Sequence, residues 1–235
     1  MKSTLLLMSV FACAFSTLDV YAWGNKESKQ AKAVAKAERK AEKQKNGIKE
    51  WQLTRFCHSE VQAAIQANGR LAADDIKVTC NLEEAQSLVD ALLAGYVTIV
   101  NILDGYVEVE EGNAVAGLVA KKVEGGANLA DAVAELSASD RNAYEKYMEW
   151  LSAGENEGKM AIEDDDLEKI MDVSSSFKEK FAEIKESIKG KKGGKIAAAK
   201  DAVTVAKLAG STAKGGMMLK GILDREKKAK KLMVQ

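Results

Sequence analysis

Residues 81–104 read NLEEAQSLVDALLAGYVTIVNILD, and this stretch decides the fold. Its apolar residues recur at steps of three and four, the period of a helix with one buried face: Leu82, Ala85, Val89, Leu92, Tyr96, Ile99 and Leu103. Further apolar residues at Leu88, Leu93 and Val100 widen that face. A helix with so wide an apolar face needs neighbours on more than one side, so we expect it at the centre of the core.

The start of this helix carries its own signals. Asn81 followed by Glu84 is typical of a capping box and predicts that the Asn81 side chain caps the helix. A transmembrane interpretation is disfavoured because Asp90 and the pair Glu83 and Glu84 interrupt the apolar run.

The composition extends the helical prediction to the whole chain. None of the 235 residues is proline, which breaks helix interiors and is common in turns. Alanine, lysine, glutamate and leucine, which favour helices, fill most of the sequence. We predict an all-α fold, a helical bundle with long helical N- and C-terminal arms, and no strand at 105–111 despite its alternating pattern.

The remaining segments fit this fold. Residues 26–45 are rich in alanine and lysine with a thin coiled-coil-like seam, and Asn46 and Gly47 interrupt it. A single helix is expected over 48–68, and shorter helices over 113–123, 128–136 and 139–151. Residues 177–188 form an amphipathic pattern, followed by the basic hinge 190–195.

The C-terminal region has a second regular pattern. Small and apolar residues recur at Ile196, Ala199, Val203, Ala206, Gly210, Ala213 and Met217. Because small residues let two helices approach closely, this seam predicts tight packing against another helix. The glycines at 215 and 216 are expected to break the helix.

Charge is strongly segregated although the formal net charge is zero. Residues 23–56 carry a net charge of +6, residues 57–177 carry −16 and residues 178–235 carry +10. This layout predicts basic helical arms at 23–56 and 178–235 around an acidic helical body at 57–177. Either the arms fold onto the body and neutralise it, or they contact an external anionic surface.

The lysines of the C-terminal region are candidates for such a contact. Three recur every seven residues and four follow near the C-terminus: Lys200, Lys207, Lys214, Lys227, Lys228, Lys230 and Lys231. A basic helix with apolar residues is suited to an anionic bilayer surface, although a solvated helix end has the same composition.

Residues 1–22 have the features of a signal peptide. Lys2 is followed by an apolar run and a small-residue cleavage motif ending at Ala22, so the mature chain is expected to begin at Trp23. The alternative is a lipoprotein anchored at Cys13, because Val10 to Cys13 resemble a lipoprotein box. Export predicts a periplasmic or secreted protein.

Cys57 and Cys80 remain in the mature chain. An even pair in an exported protein predicts one Cys57–Cys80 disulfide, and two buried thiols are the alternative. A zinc site is disfavoured because His58 is the sole histidine. The acidic run at 163–166 lacks the spacing of a calcium loop, and the helix dipole explains it.

The sequence lacks the motifs of common catalytic sites, and no carboxylate is distinguished by its context. We therefore expect no catalytic residues, no cofactor, no metal and no nucleic-acid partner. The predicted function is that of an exported bacterial cell-envelope protein with a structural or interaction role, whose partner is another envelope protein or a second copy. The alternative is a membrane-surface-active protein acting through its basic C-terminal helices, and an enzyme is the third interpretation.

Overall fold

The computed structural model describes residues 32–153 and 195–234, and this part of the chain is mostly helical without strands. The all-α prediction is therefore confirmed. The helices are α1 (32–44), α2 (Gly47–Thr54), α3 (His58–Asn68), α4 (Glu83–Tyr106), α5 (Glu110–Glu124), α6 (Leu129–Ala134), α7 (Ala138–Ser152) and α8 (Lys195–Leu232). Short 3-10 turns occur at Ala73–Asp75 and Val107–Val109. The predicted signal peptide with Cys13, the acidic run at 163–166 and the segments 177–188 and 190–194 lie outside the described residues.

Helix α4 is the central helix, as its wide apolar face predicts. Its buried side chains include Leu88, Val89, Leu92, Tyr96, Ile99, Val100 and Leu103. The helical stretch 83–124 contains an 18-residue window of mean hydropathy 1.5, which is long and apolar enough to cross a membrane by length and composition. Much of that apolar surface is buried within the protein, against α8 and the 3-10 turns.

The predicted capping box at the start of α4 is not formed. The N-cap residue is Leu82, without a side-chain cap of its own. Instead Asp201 of α8 accepts hydrogen bonds from the backbone N–H of Asn81 at 2.8 Å and of Leu82 at 2.9 Å, and from the Asn81 side-chain amide at 2.9 Å. A carboxylate 120 residues away in sequence therefore caps the central helix.

The predicted helix over 48–68 is divided into α2 and α3. The chain leaves the helix at Arg55, and Cys57 adopts a left-handed conformation with φ of 48°. Tertiary hydrogen bonds hold this break: the Phe56 N–H donates to Ser211 Oγ at 3.1 Å, and the Tyr96 hydroxyl donates to the Phe56 carbonyl at 2.6 Å. These contacts with α8 and α4 replace the helical hydrogen bonds that the local sequence favours.

Helix α8 continues through the glycines that were expected to break it. Gly215 lies where α8 crosses α2 and α4, and a Cβ atom built there would be 2.8 Å from Trp51 Cζ2 and 2.7 Å from Ile99 Cγ2. The prediction of a break was wrong because Gly215 permits close packing while the backbone remains helical. Packing against the neighbouring helices compensates for the low helix propensity of glycine.

Glu110 joins α5 to α2. Its Oε1 accepts the backbone N–H of Ile48 at 2.6 Å, in the first turn of α2. Because the residue is buried, desolvation raises the pKa of the Glu110 carboxyl, while hydrogen bonds from the backbone of Ile48 and Lys49 oppose that rise. The carboxyl thus serves as a helix cap inside the protein.

We predict that Gly215→Ala lowers the free energy of unfolding by roughly 1–3 kcal/mol, because the added methyl group overpacks the contact with Trp51 and Ile99. Gly210→Ala is the matched control in the same helix, since a Cβ there meets nothing within 4 Å. Alanine at 210 should raise stability by about 0.5–1 kcal/mol through helix propensity. Chemical denaturation measures both changes, and equal stabilisation by the two variants would contradict the packing described for Gly215.

We also predict a pH-dependent stability difference at Glu110. A carboxyl whose pKa is raised in the folded protein binds more protons there than when unfolded, so this group's contribution to stability falls as the pH rises above the ordinary value of 4.5. Glu110→Gln keeps an acceptor for Ile48 but does not titrate, so it should remove this component. Denaturation between pH 4 and pH 8 would give a stability difference that grows with pH in favour of Gln. A pH-independent difference would contradict the prediction.

Candidate interaction surface

Helix α8 has one face in the core. The buried side chains repeat at steps of three, four and seven, which keep them on one side of the helix: Ala198, Asp201, Val205, Leu208, Thr212, Leu219, Ile222 and Ala229. They pack against α4 and α5 over most of the length of α8. The C-terminal helix is therefore an integral part of the fold.

The small-residue seam lies on the opposite, outward face of α8. Ala199, Ala206 and Gly210 are exposed, Val203 is 53% exposed and Met217 is 61% exposed. The prediction that this seam packs against another helix is wrong for the helices that the structure describes. Both stripes have the same period, but the larger side chains of Val205, Leu208, Leu219 and Ile222 bury more apolar area, so their face turns inward.

Three of the predicted lysines form a row beside this outward face. Lys200, Lys207 and Lys214 are exposed, and their seven-residue spacing keeps them on one side of the helix. The outward face of α8 is hereafter Ala199, Val203, Ala206, Gly210 and Met217 together with these three lysines. It offers an apolar strip of low relief with a positively charged edge.

The other four predicted lysines do not form one group. Lys228 Nζ bonds Glu124 Oε1 of α5 at 2.7 Å, and Lys230 Nζ bonds Glu226 Oε1 at 2.9 Å. Lys227 and Lys231 are exposed. Part of the basic C-terminus thus neutralises acidic residues of the protein itself.

The predicted Cys57–Cys80 disulfide is not present, and both residues are free thiols. Phe56, next to Cys57, is bonded to Ser211, whereas Asn81, next to Cys80, is bonded to Asp201. These two anchors are ten residues apart on α8, about 15 Å along a helix axis. A disulfide needs Cα atoms within roughly 7 Å of each other, and anchoring of the two segments at separate points of α8 disfavours so close an approach.

A buried polar network beneath α8 was not foreseen from the sequence. Asn113 of α5 donates from Nδ2 to the Tyr147 hydroxyl at 2.7 Å and accepts at Oδ1 from Arg225 Nε at 2.7 Å. Arg225 Nη1 also donates to Gln44 Oε1 of α1 at 2.8 Å. Burial raises the pKa of the Tyr147 hydroxyl, so it stays protonated. The network joins four helices.

A second unforeseen contact links α4 and α8. The Tyr106 hydroxyl donates to Glu226 Oε2, and Tyr106 and Tyr147 both lie against the Trp150 ring. Burial, followed by the bond to Glu226, raises the pKa of Tyr106. The sequence does indicate buried charged groups in α8, because Asp201 and Glu226 occupy positions in its apolar repeat.

Metal-binding and nucleophilic side chains are the candidates for catalysis among the described residues. In this part of the chain, no set of three His, Cys, Asp or Glu side chains lies close enough to hold a metal ion. The His58 Nδ1 atom is buried without a hydrogen-bond partner among these residues. The thiol pKa values of Cys57 and Cys80 are raised, chiefly by burial, which disfavours the nucleophilic thiolate.

No protein-family model, no curated protein and no solved structure matches this chain.

We predict that Cys57 and Cys80 are both alkylated in the denatured protein without reductant. The raised thiol pKa values should make alkylation of the folded protein at pH 7 slower than in the unfolded chain. Peptide mapping by mass spectrometry separates these thiols from Cys13. A crosslinked peptide containing Cys57 and Cys80 would show that the two segments do not keep their separate anchors on α8.

Proposed function

We propose that this chain is an exported, non-enzymatic interaction protein that binds a helix of another cell-envelope protein through the outward face of α8. The observation that carries the proposal is the exposure of apolar residues along one face of a helix whose other face is fixed in the core. The signal-peptide features of residues 1–22 support export.

The shape of the face favours a helix as the partner. Alanine and glycine at 199, 206 and 210 leave little relief, so another helix can approach closely and make many dispersion contacts. Val203, between Ala199 and Ala206, and Met217, beyond Gly210, add larger apolar contacts. Methionine suits such a position because its flexible side chain adapts to the partner.

The charge of the edge favours an acidic partner. Lys200, Lys207 and Lys214 would lie beside a helix packed on the strip, at spacing that matches carboxylates every seven residues on that helix.

An anionic membrane surface is the alternative partner for the same lysines. Insertion of α8 into a bilayer is disfavoured because it would remove Leu208, Leu219 and Ile222 from the core. Binding that leaves the fold intact would bring only the outward face to the lipid. The flat small-residue strip packs less favourably against lipid than against a helix.

The experiment places a photo-crosslinking amino acid at Ala206 in cells that export the protein. We expect a covalent adduct with one other protein, which is lost in the double variant Val203→Glu and Met217→Glu. Both substituted residues are exposed, so thermal unfolding should be unchanged. The same crosslinker at Leu53, which is 71% exposed on α2, is the matched control and should give no such adduct.

A separate variant tests whether the lysines beside the strip are required. Reversal of Lys200, Lys207 and Lys214 to Glu should weaken the adduct strongly and leave the fold intact. Adducts with phospholipid alone would favour the membrane alternative, and adducts with a second copy of this chain would contradict a heterologous partner. Adducts that survive Val203→Glu and Met217→Glu would exclude the outward face as the binding surface.

A further inference from the structure

A groove separate from the outward face of α8 lies between α1, α5 and α8. Its volume is about 460 Å³, within the range of small-molecule sites. Five basic residues contribute to its lining: Lys36, Lys40, Lys121, Arg225 and Lys228. Asp224 is the acidic residue of the lining, so the groove is strongly positive.

The lining includes Arg225, whose guanidinium forms no direct ion pair with a carboxylate of the described residues, although the charges of Glu110 and Asp224 act on it. Its guanidinium donates to two neutral amides, Asn113 Oδ1 and Gln44 Oε1, at 2.7 and 2.8 Å. Burial lowers the pKa of Arg225, so its surroundings do not fully replace the water that the charge has lost. Charged groups inside proteins are normally paired, and an anion in the groove would supply the pair.

The backbone of α5 makes room for this side chain. Gly117 lies beneath Arg225, and a Cβ atom there would collide with Cγ and Cδ of the arginine. Together with the bonds to Asn113 and Gln44, this contact fixes the arginine along the groove. A fixed cation binds an anion at a lower entropic cost than a mobile one.

The lysines of the groove differ in their availability. Lys121 and Lys228 both contact Glu124, at 3.4 and 2.7 Å. Lys36 and Lys40 of α1 are exposed at the other wall and form no ion pair with the described residues. The uncompensated charge therefore comes from Arg225 and these two lysines.

Between the charges the walls are apolar and small. They consist of Ala33, Ala37 and Ala41 from α1 and Ala114, Gly117 and Leu118 from α5. A site for inorganic phosphate alone would not need such walls, whereas an alkyl chain would bury apolar surface against them. The groove therefore combines cationic side chains with small apolar walls.

We propose that this groove binds a small anionic amphiphile, an alkyl chain that carries a carboxylate or phosphate head group. The head group bonds Arg225 and lies near Lys36 and Lys40, and the chain lies against the alanine walls of α1 and α5. The ligand chemistry is shared by a free fatty acid and by an anionic phospholipid taken from a bilayer.

Calorimetric titration of the full chain with octanoate, decanoate, decyl phosphate, decanol and inorganic phosphate tests both parts of the ligand. We expect affinity to rise about fourfold for each methylene that is buried, so decanoate should bind more tightly than octanoate. Decanol and inorganic phosphate should bind at least tenfold more weakly than decyl phosphate. Equal binding of inorganic phosphate and decyl phosphate, or no binding of any amphiphile, would overturn the proposal.

Two variants locate the site. The double variant Lys36→Gln and Lys40→Gln should lower the affinity for decanoate about fivefold, since each exposed charge contributes modestly to binding. The matched control, Lys32→Gln with Lys43→Gln, changes two exposed lysines of α1 that do not line the groove and should leave affinity unchanged. Ala37→Leu should fill the groove and abolish binding while the protein still unfolds cooperatively. Equal losses from both lysine pairs would overturn the assignment.

A third experiment distinguishes the two sources of ligand. The protein is incubated with phosphatidylglycerol vesicles, separated from them and analysed for bound lipid by mass spectrometry. One lipid per chain, lost in Ala37→Leu, supports the proposal with a bilayer as the source. Decanoate binding without lipid extraction supports it with a free fatty acid as the source. Lipid retained equally by Ala37→Leu would overturn it.

Discussion

The contact between α8 and α4 fixes the positions of the segments packed around it. Gly215 permits α8 to lie against Ile99 and Trp51, and Asp201 bonds Asn81 and Leu82, the two residues that precede α4. Leu208, Leu219 and Ile222 are all buried, and each contributes about 1.5–3 kcal/mol by leaving water. The same helix anchors Phe56 through Ser211, which sets the break between α2 and α3. One long helix at the C-terminus thus organises elements from the first half of the chain.

Buried polar groups determine how the helices are arranged relative to one another. Apolar contacts tolerate small shifts, but a buried donor or acceptor without a partner costs free energy. Asp201, Glu110 and Asn113 each bond a different helix from their own. A shift of α8 by one turn would break the bonds of Asp201 with Asn81 and Leu82 and the bond of Arg225 with Asn113, so these bonds favour a single position of α8.

The segregation of charge along the sequence is only partly cancelled in the folded protein. Lys45 pairs with Asp140 at 2.6 Å and Lys228 with Glu124 at 2.7 Å, so both basic ends contact the acidic part of the chain. Lys200, Lys207 and Lys214 remain exposed along the outward face of α8, and Lys36 and Lys40 remain exposed at the groove. These uncompensated charges occur beside apolar surface, which is the combination that both proposed binding sites use.

Local sequence patterns predicted the helical character of the chain and the position of its central helix. The absence of proline and the three-and-four periodicity of 82–103 are local properties, and helix formation depends on local hydrogen bonds. The candidate site was predicted in part: the lysine row of α8 was identified, but the adjoining strip was expected to be buried. Two stripes with the same period cannot be ranked by periodicity, and only packing of the larger side chains decided which one faces the core. The tertiary structure alone also decided the continuity of α8 at Gly215, the cap from Asp201 and the separation of Cys57 from Cys80. Each of these depends on groups more than 20 residues apart in sequence. A local sequence pattern does not specify the distances between such groups.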